Sequence, residues 1–482
     1  MRAWTEPDVA IVGGGLAGLV AANRAAEMGA HVAIFEAGTA QKYRANSRFT
    51  GGVFHVAFRD IESPSELLLD AIRSATGNFA DPALAQALAQ DAARAVRWLA
   101  AHGAVFGEGG SLEFMRHMLI PFSLREPGLA KHWPDKGADR LLSALEQELV
   151  ARGGHLVRGM RARRLAMSEG RCSGLEVTDT DGRTHTVTAR SVVICDGGFQ
   201  GNPELVRRHL SPRPEALCTR GAGTGVGDGL LMAEAAGAKL VHMDKFYGHV
   251  QCSEALTDDA LWPYPILDIV ASAAMVVNGK GLRFTDEGLG GVALANAIAA
   301  LDDPLSSFVV MDEAVWSGPG RDFLLPPNPT MVERGVKIYR SDTLEGLALQ
   351  LDMPAVRLEQ TVAIYNEAVE RGTGSRLAPP RTGKAGTLTR GPQPIRTAPF
   401  LAIRLCAGIT YTMGGIAIDA HGRVLDTHDH PIPGLYAAGS ATGGLEGGPA
   451  SGYVGGLAKA ATFGLRAGEA VVRDAVRLGV KK

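Results

Sequence analysis

Three glycines and one acid near the N-terminus carry the most specific chemistry in the chain. Val12-Gly13-Gly14-Gly15-Leu16-Ala17-Gly18-Leu19 follows the apolar run Val9-Ala10-Ile11-Val12 and opens an Ala-rich segment that ends near Gly29. A second apolar run, Val32-Ala33-Ile34-Phe35, then delivers Glu36 and Ala37. Gly13 permits a tight turn, Gly15 lets backbone approach a pyrophosphate, and Gly18 lets a helix close on a strand. The N-terminus of that helix presents partial positive charge to phosphates. Glu36 stands where a carboxylate can accept hydrogen bonds from a ribose diol. The constellation points to an adenine dinucleotide; the plainer alternative is a structural strand–turn–helix of an unrelated α/β protein.

The elements that must hold these residues form a βαβ unit over residues 8–36. Beyond it, residues 64–102 show apolar positions at helical spacing (Leu67, Leu68, Ile72, then Leu84, Leu88, Val96, Leu99). Gly137–Leu149 reads as another amphipathic helix. His155–Val187 reads as a small β-meander with turns at Ser168-Glu169-Gly170 and Asp181-Gly182. Ser191–Cys195 is a buried strand that runs into Asp196-Gly197-Gly198-Phe199. From about Phe246 to Glu370 strand-like runs (Ala274–Val277, Phe308–Met311) alternate with helices and Pro-rich loops. Residues 371–396, rich in Gly, Pro, Arg and Thr, read as a linker. After Phe400 the buried-strand texture returns, with a strand edge at Leu435–Gly439 and a closing helix at Val454–Val472. The expected fold is α/β: a discontinuous Rossmann-like nucleotide-binding domain (1–245 and 376–482) with a second, α+β domain inserted at 246–375.

A chain of 482 residues exceeds one ordinary core. A net charge of −2 without a basic run argues against a nucleic-acid partner. The five cysteines are scattered without a CxxC pair, which suits a reducing cytoplasm and gives no zinc site. We read no signal peptide and no transmembrane segment, and expect a cytoplasmic protein without a bound metal. Asp426-Thr427-His428-Asp429-His430-Pro431 has metal-ligand residue types but reads as a hairpin turn.

Several landmarks in order resemble the fumarate reductase/succinate dehydrogenase flavoprotein superfamily, which includes 3-ketosteroid and tricarballylate dehydrogenases. They are Asn46-Ser47-Arg48-Phe49-Thr50-Gly51-Gly52, Cys195-Asp196-Gly197-Gly198-Phe199, Gly227-Asp228-Gly229, Lys280-Gly281-Leu282-Arg283-Phe284, Thr412-Met413-Gly414-Gly415 and Ile432-Pro433-Gly434-Leu435-Tyr436-Ala437-Ala438-Gly439. The resemblance implies FAD, a mobile cap, and hydride transfer between flavin N5 and a carbon beside an activating group. It places Gly13, Gly15, Leu16, Ala17, Gly18, Glu36 and Ala37 at the ADP half. Asn46, Ser47, Thr50, Gly51 and Gly52 would line the flavin, with Asp196, Gly197, Gly439 and Ser440 nearby and Asp228 at the ribityl region or its supporting loop. The N-terminus of the closing helix, around Gly456 and Leu457, would face flavin O2. Residues 38–52 hold no histidine, so the flavin should be non-covalent. Gly221–Gly229 also has dinucleotide-like spacing. Arg213–Arg220 before it is too mixed for a clear apolar strand, so it reads as a flavin-side loop, not a second nucleotide site.

The family's dicarboxylate clamp is altered. Tyr453 stands for a clamp arginine, Tyr411 for a histidine and Trp316 for the proton-donating arginine, while His249 is kept. A pocket edged by Tyr411, Tyr453, Trp316 and Phe246 resembles the ketosteroid dehydrogenase branch. That implies α,β-dehydrogenation of a ketone, or the reverse enone reduction. Tyr453, Tyr411 and His249 are then the catalytic candidates, and a separate electron acceptor (quinone, electron carrier or O2) is the expected partner. A tyrosine ordinarily titrates near ~10, so as a base it needs a depressed pKa or a relay. Arg283 reads as structural; Glu446 and Arg125 could each contact substrate. The alternatives are a polycarboxylate oxidoreductase of the tricarballylate or fumarate type, and a flavin electron-transfer subunit without a substrate of its own.

Overall fold

The computed structural model describes residues 3–123, 132–323, 325–383 and 387–477. The N-terminal unit is β1 (Val9–Val12), α1 (Leu16–Glu27) and β2 (Val32–Glu36). β1 is flanked by parallel partners on both edges, so all four of its residues are buried and apolar. His155–Arg158 (β3), Ser191–Ile194 (β4), and, late in the chain, two further strands complete the sheet. Between β3 and β4 lies a three-stranded antiparallel meander over Arg161–Ser168, Arg171–Thr178 and Thr184–Thr188. The meander expected over His155–Val187 therefore begins only at Arg161, because the parallel pairing of His155–Arg158 with β2 draws that segment into the main sheet.

A second sheet forms from later chain. Phe246–Cys252 (β5) pairs with Phe400–Thr412 (β6), a thirteen-residue strand that also pairs with Leu217–Thr219, Phe308–Asp312 and Ile338–Ser341. Strand β6 thus belongs to the second sheet, although it follows the Pro-rich stretch. Arg423–Leu425 (β7) and Pro431–Ala437 (β8) return to the first sheet, whose order is β7-β8-β4-β1-β2-β3. Asp426 Oδ1 accepts from the amides of His428 and His430, at 2.8 and 2.9 Å, so the His-rich segment is the hairpin turn between β7 and β8.

The closing helix α2 (Gly456–Arg477) packs on α1. A Cβ at Gly464 would lie 2.8 Å from Ala17 O, and one at Gly468 2.6 Å from Ala21 O. Small residues at this spacing let the helices approach closely, which aims both N-termini at the region above the sheet. No helix among the described residues is long and apolar enough to cross a membrane.

Candidate active site

Two cavities meet above the C-terminal ends of the parallel strands, sharing Leu16, Asn46, Ser47, Ser440 and Ala460 in their walls. The larger, of about 530 Å³, is built chiefly from backbone. Gly13 has φ +96°, and a Cβ there would lie 2.7 Å from Asp196 Cα. A Cβ on Gly18 would stand 2.1 Å from Gly13 O, so Gly18 serves helix–turn packing and does not face the cavity. Gly15, Ala17, Ala37, Gly197 and Gly439 all line it. Ser47 Oγ accepts from Leu16 N at 2.9 Å, tying the loop to the start of α1.

Acidic groups stand around this cavity. Glu36 accepts from Gly14 N (2.9 Å) and Gly38 N (2.7 Å); burial raises its pKa despite both bonds. Asp196 accepts from Gly229 N at 2.7 Å through one oxygen, and its other oxygen has no partner. Burial pushes the Asp196 carboxyl up to about 7. Gln200 Oε1, on the same wall, is also unpartnered. Two orphaned acceptors fit the hydroxyl and amino donors of a nucleotide. Asp228 lines the cavity but is engaged by Arg161 in a two-pronged pair (2.5 and 2.8 Å).

The Gly221–Gly229 loop flanks the same cavity through Thr224, Gly225 and Val226. It is anchored by Asn46, which accepts from Ala222 N and donates to Thr410 O, each at 2.8 Å. A short strand, Leu217–Thr219, does precede this loop, correcting the reading of a mixed segment. Its register against β6 in the second sheet supplies the hydrogen bonds that its own composition does not advertise.

The smaller cavity, about 210 Å³, is built from side chains. Thr50, Gly51, Gly456 and Leu457 line it together with Tyr411, Tyr453 and His249, whereas Gly52 lines neither cavity. β5 and β6 slip register between Tyr247 and Gly248, which pair with Tyr411 and Ile409. Thr410 is the extra residue, and both Thr410 and Tyr411 reach the cavity, which strict alternation would forbid.

Tyr247 stacks on Tyr453, ring centroids 3.9 Å apart and planes 13° from parallel. The Tyr247 hydroxyl lies 2.9 Å from His249 Nε2, and His249 Nδ1 lies 2.6 Å from Asp268 Oδ2. The other Asp268 oxygen accepts from Val250 N at 2.9 Å. This orders a phenol–imidazole–carboxylate chain ending at the cavity. Gly291 makes room for it, since a Cβ there would collide with the Asp268 carboxylate. Burial lowers the His249 pKa, so the imidazole is neutral near pH 7. Its Nδ1–H then faces the carboxylate and Nε2 accepts from the phenol.

Tyr411 donates to Glu446 at 2.9 Å. Glu446 is fully buried, also accepts from Val454 N at 3.2 Å, and pairs with Lys459 at 3.2 Å. It supports Tyr411 from behind and does not line the cavity. The Tyr453 hydroxyl accepts from Gly456 N at 3.4 Å, beside the start of α2.

Burial raises the pKa of Tyr247, Tyr411 and Tyr453. None of these three phenols is therefore depressed, and neutral His249 supplies no positive neighbour. Trp316 and Phe246, expected at the pocket edge, lie instead in the core of the second sheet, where burial of their rings outweighs any access to the cavity. Arg283 is committed to Glu287, consistent with a structural part. Arg125 lies outside the described residues.

Sequence reasoning missed Tyr247, Asp268, Arg220 and His55. Tyr247 stands two residues before His249, a spacing that puts both on one strand face. Asp268 and Arg220 arrive through long-range packing, and nothing local in the chain marks them.

A family model described as "FAD binding domain" matches residues 8–452. NADH:fumarate oxidoreductase of Klebsiella pneumoniae (strain 342) is 28% identical over 454 residues, covering 92% of this chain and 45% of that protein. A 4-oxocyclohexanecarboxylate 2-dehydrogenase of Sinomonas cyclohexanicum is 28% identical over 363 residues, covering 70% of this chain and 61% of that protein. The chain thus spans about half the length of these two relatives. The crystal structure of a 3-ketosteroid Δ1-dehydrogenase from Sterolibacterium denitrificans superposes with a TM-score of 0.71 at 23% identity, covering 98% of this chain and all of that one. This chain belongs to the FAD-binding-domain family, and its glycine-lined larger cavity, with unpartnered acceptors on the wall, fits FAD.

Proposed function

We propose that this member of the FAD-binding family is a CH–CH oxidoreductase that interconverts a cyclic ketone and its α,β-unsaturated counterpart. The observation that carries the reading is the Tyr247–His249–Asp268 chain ending at the smaller cavity against Tyr453. When bound, FAD supplies a hydride acceptor or donor at N5. The chain's own residues handle the proton and the carbonyl. In dehydrogenation the Tyr247 oxygen takes the α-proton while its phenol proton passes to His249 Nε2. The imidazolium so formed pairs with Asp268. The β-hydrogen leaves as hydride, so two electrons and two hydrogens leave the substrate. A relay of this kind removes the need for a depressed tyrosine pKa. Tyr453, its oxygen accepting from the Gly456 amide at the positive end of α2, polarises the ketone oxygen. Tyr411, braced by Glu446, holds Tyr247 and Tyr453 in place.

We assign cofactor contacts to Gly13, Gly15, Glu36, Ser47, Asp196 and Ser440, a reading supported by their places on the larger cavity. We assign capping to 246–375, with β6 as the strand shared with the flanking parts. The five cysteines, all free and buried, favour a cytoplasmic setting, with a separate electron acceptor.

The test is anaerobic spectroscopy of the purified yellow protein, mixed with cyclohexanone, 4-oxocyclohexanecarboxylate, succinate and tricarballylate. Bleaching of the flavin by a ketone supports the reading. Bleaching by succinate or tricarballylate alone overturns it.

A further inference from the structure

Arg220 is 7% exposed and lines the smaller cavity, yet its partners are all neutral. One terminal nitrogen donates to Thr410 Oγ1 (2.9 Å) and the other to Pro263 O (3.0 Å). The Gln251 amide, turned so that its nitrogen donates to Leu261 O, accepts from Arg220 Nε at 3.2 Å. A guanidinium has five N–H donors. Three are used, and one N–H remains on each terminal nitrogen. No carboxylate of the described residues lies within ion-pair distance of it.

A buried charge without an opposite partner is costly, and buried arginines are ordinarily paired. The fold nonetheless makes room for this one. A Cβ on Gly408 would lie 2.4 Å from Arg220 Cδ, so glycine at that place on β6 lets the side chain cross the sheet to the cavity. Other charges nearby are committed. Asp268 lies behind His249, with both oxygens bonded, and does not line the cavity. Glu446 pairs with Lys459 behind Tyr411. His249 is held neutral by burial. The open wall therefore presents a positive fork, facing a chamber whose other surfaces include Phe58, Phe114, Phe323 and Leu388.

We infer that Arg220 seats a carboxylate of the substrate, which is therefore a ring-based oxo-acid held by its ketone at Tyr453 and by its carboxylate at the guanidinium. Two remaining N–H groups, one on each terminal nitrogen, match the two oxygens of a carboxylate. The apolar walls take the ring between the two polar ends. The assignment rests on the ketone reading above, and it adds the anionic group that a tyrosine-lined pocket alone would not require.

The carboxylate half is measured without turnover. Cyclohexanecarboxylate, which has no ketone, is titrated into the oxidised holoenzyme and the flavin absorption followed, with methyl cyclohexanecarboxylate as the neutral control. The expected result is a saturable spectral change with the acid alone, weakened about a hundredfold in Arg220→Gln and less in Arg220→Lys. An equal response to acid and ester, no response to the acid, or an unchanged affinity in Arg220→Gln overturns the assignment. Should Arg220→Gln not retain FAD, the acid–ester comparison in the natural protein and the Lys variant decide the matter. Flavin bleaching by 4-oxocyclohexanecarboxylate is then compared with its methyl ester. Equal bleaching by both removes Arg220 from the site and leaves the ketone chemistry standing. Failure of every ketone, with the acid still bound through Arg220, removes the ketone chemistry and leaves the carboxylate seat.

Discussion

The larger cavity is made by backbone and the smaller one by side chains. Around the dinucleotide cradle the decisive features are missing atoms: Gly13, Gly15 and Gly18 each have a place where a Cβ would crowd a neighbour, most severely at Gly13 and Gly18. Around the substrate pocket the decisive features are functional groups carried by elements far apart in sequence, from His55 to Tyr453. A cradle of this kind fails all at once when a glycine is filled. A pocket of this kind loses one step at a time. Binding of the cofactor and chemistry on the substrate should therefore be separable by mutation.

The largest effect is expected from Gly13→Val. The new side chain would meet Asp196 backbone within 2.9 Å, at a φ that β-branched residues avoid. The purified variant should be colourless, with flavin per chain near zero by absorbance at the flavin maximum. A yellow Gly13→Val protein would break the contrast at its cradle end. Next comes Asp268→Asn, which should keep its full flavin content yet reduce ketone-dependent flavin reduction by ~10²–10⁴-fold, the range typical of a lost acid–base group. The amide still occupies the space beside Gly291 but cannot balance an imidazolium. Loss of FAD together with rate would show the two regions to be one cooperative unit.

The same division explains what could be read from the chain. The cradle was legible because its parts are adjacent: strand, glycines, helix, strand and acid fall within residues 9–36, and each constraint is local. The matching of β4, β8 and the closing helix was legible as buried-strand and amphipathic texture. The pocket was legible at Tyr411, Tyr453 and His249, and along part of its wall at Thr50, Gly51, Gly456 and Leu457, where a family pattern surrounded each residue. Asp268 reaches the site through the loop after Cys252 and Arg220 through the pairing of Leu217–Thr219 with β6, and a one-residue slip at Thr410 sets which side chains face inward. Register is a property of pairing between distant segments. Phe246, on β5, and Trp316, on the short helix Glu313–Ser317, were likewise taken into the core of the second sheet by packing between distant segments.

Tyr453→Phe and Tyr411→Phe sharpen the comparison inside the pocket. Tyr453 lies at the start of α2 with its oxygen toward the Gly456 amide, so its hydroxyl is available to a carbonyl. Its removal should slow ketone-dependent flavin reduction by ~10²-fold, the scale of a lost oxyanion donor. Tyr411 spends its proton on Glu446, so Tyr411→Phe should cost only about tenfold, the scale of one hydrogen bond that positions a neighbour. Stopped-flow reduction of both variants, each normalised to bound flavin, checks the order. Equal losses would place Tyr411 in contact with the substrate.

The smallest effect is a displacement of the pH profile, and its sign follows from the relay. Protonated His249 cannot accept the Tyr247 proton, so dehydrogenation should fall as pH drops through the His249 pKa. Burial lowers that pKa from 6.5, and the Arg220 charge lowers it further, while the Asp268 carboxylate raises it. The acid limb should therefore lie below pH 6.5. His55, on the same cavity wall, has its pKa lowered to about 4 by burial, so its own titration falls at the foot of the profile. The phenols titrate above their usual ~10 and leave the neutral range flat. In Asp268→Asn the raising influence is gone, and the limb of the residual activity should move to still lower pH. Under the alternative in which Asp268 merely packs, the residual rate would keep the natural limb. Flavin reduction rates between pH 4.5 and 8 in the two proteins distinguish these outcomes, because the rate loss and the shift of the limb have one cause only if the carboxylate acts through the imidazole.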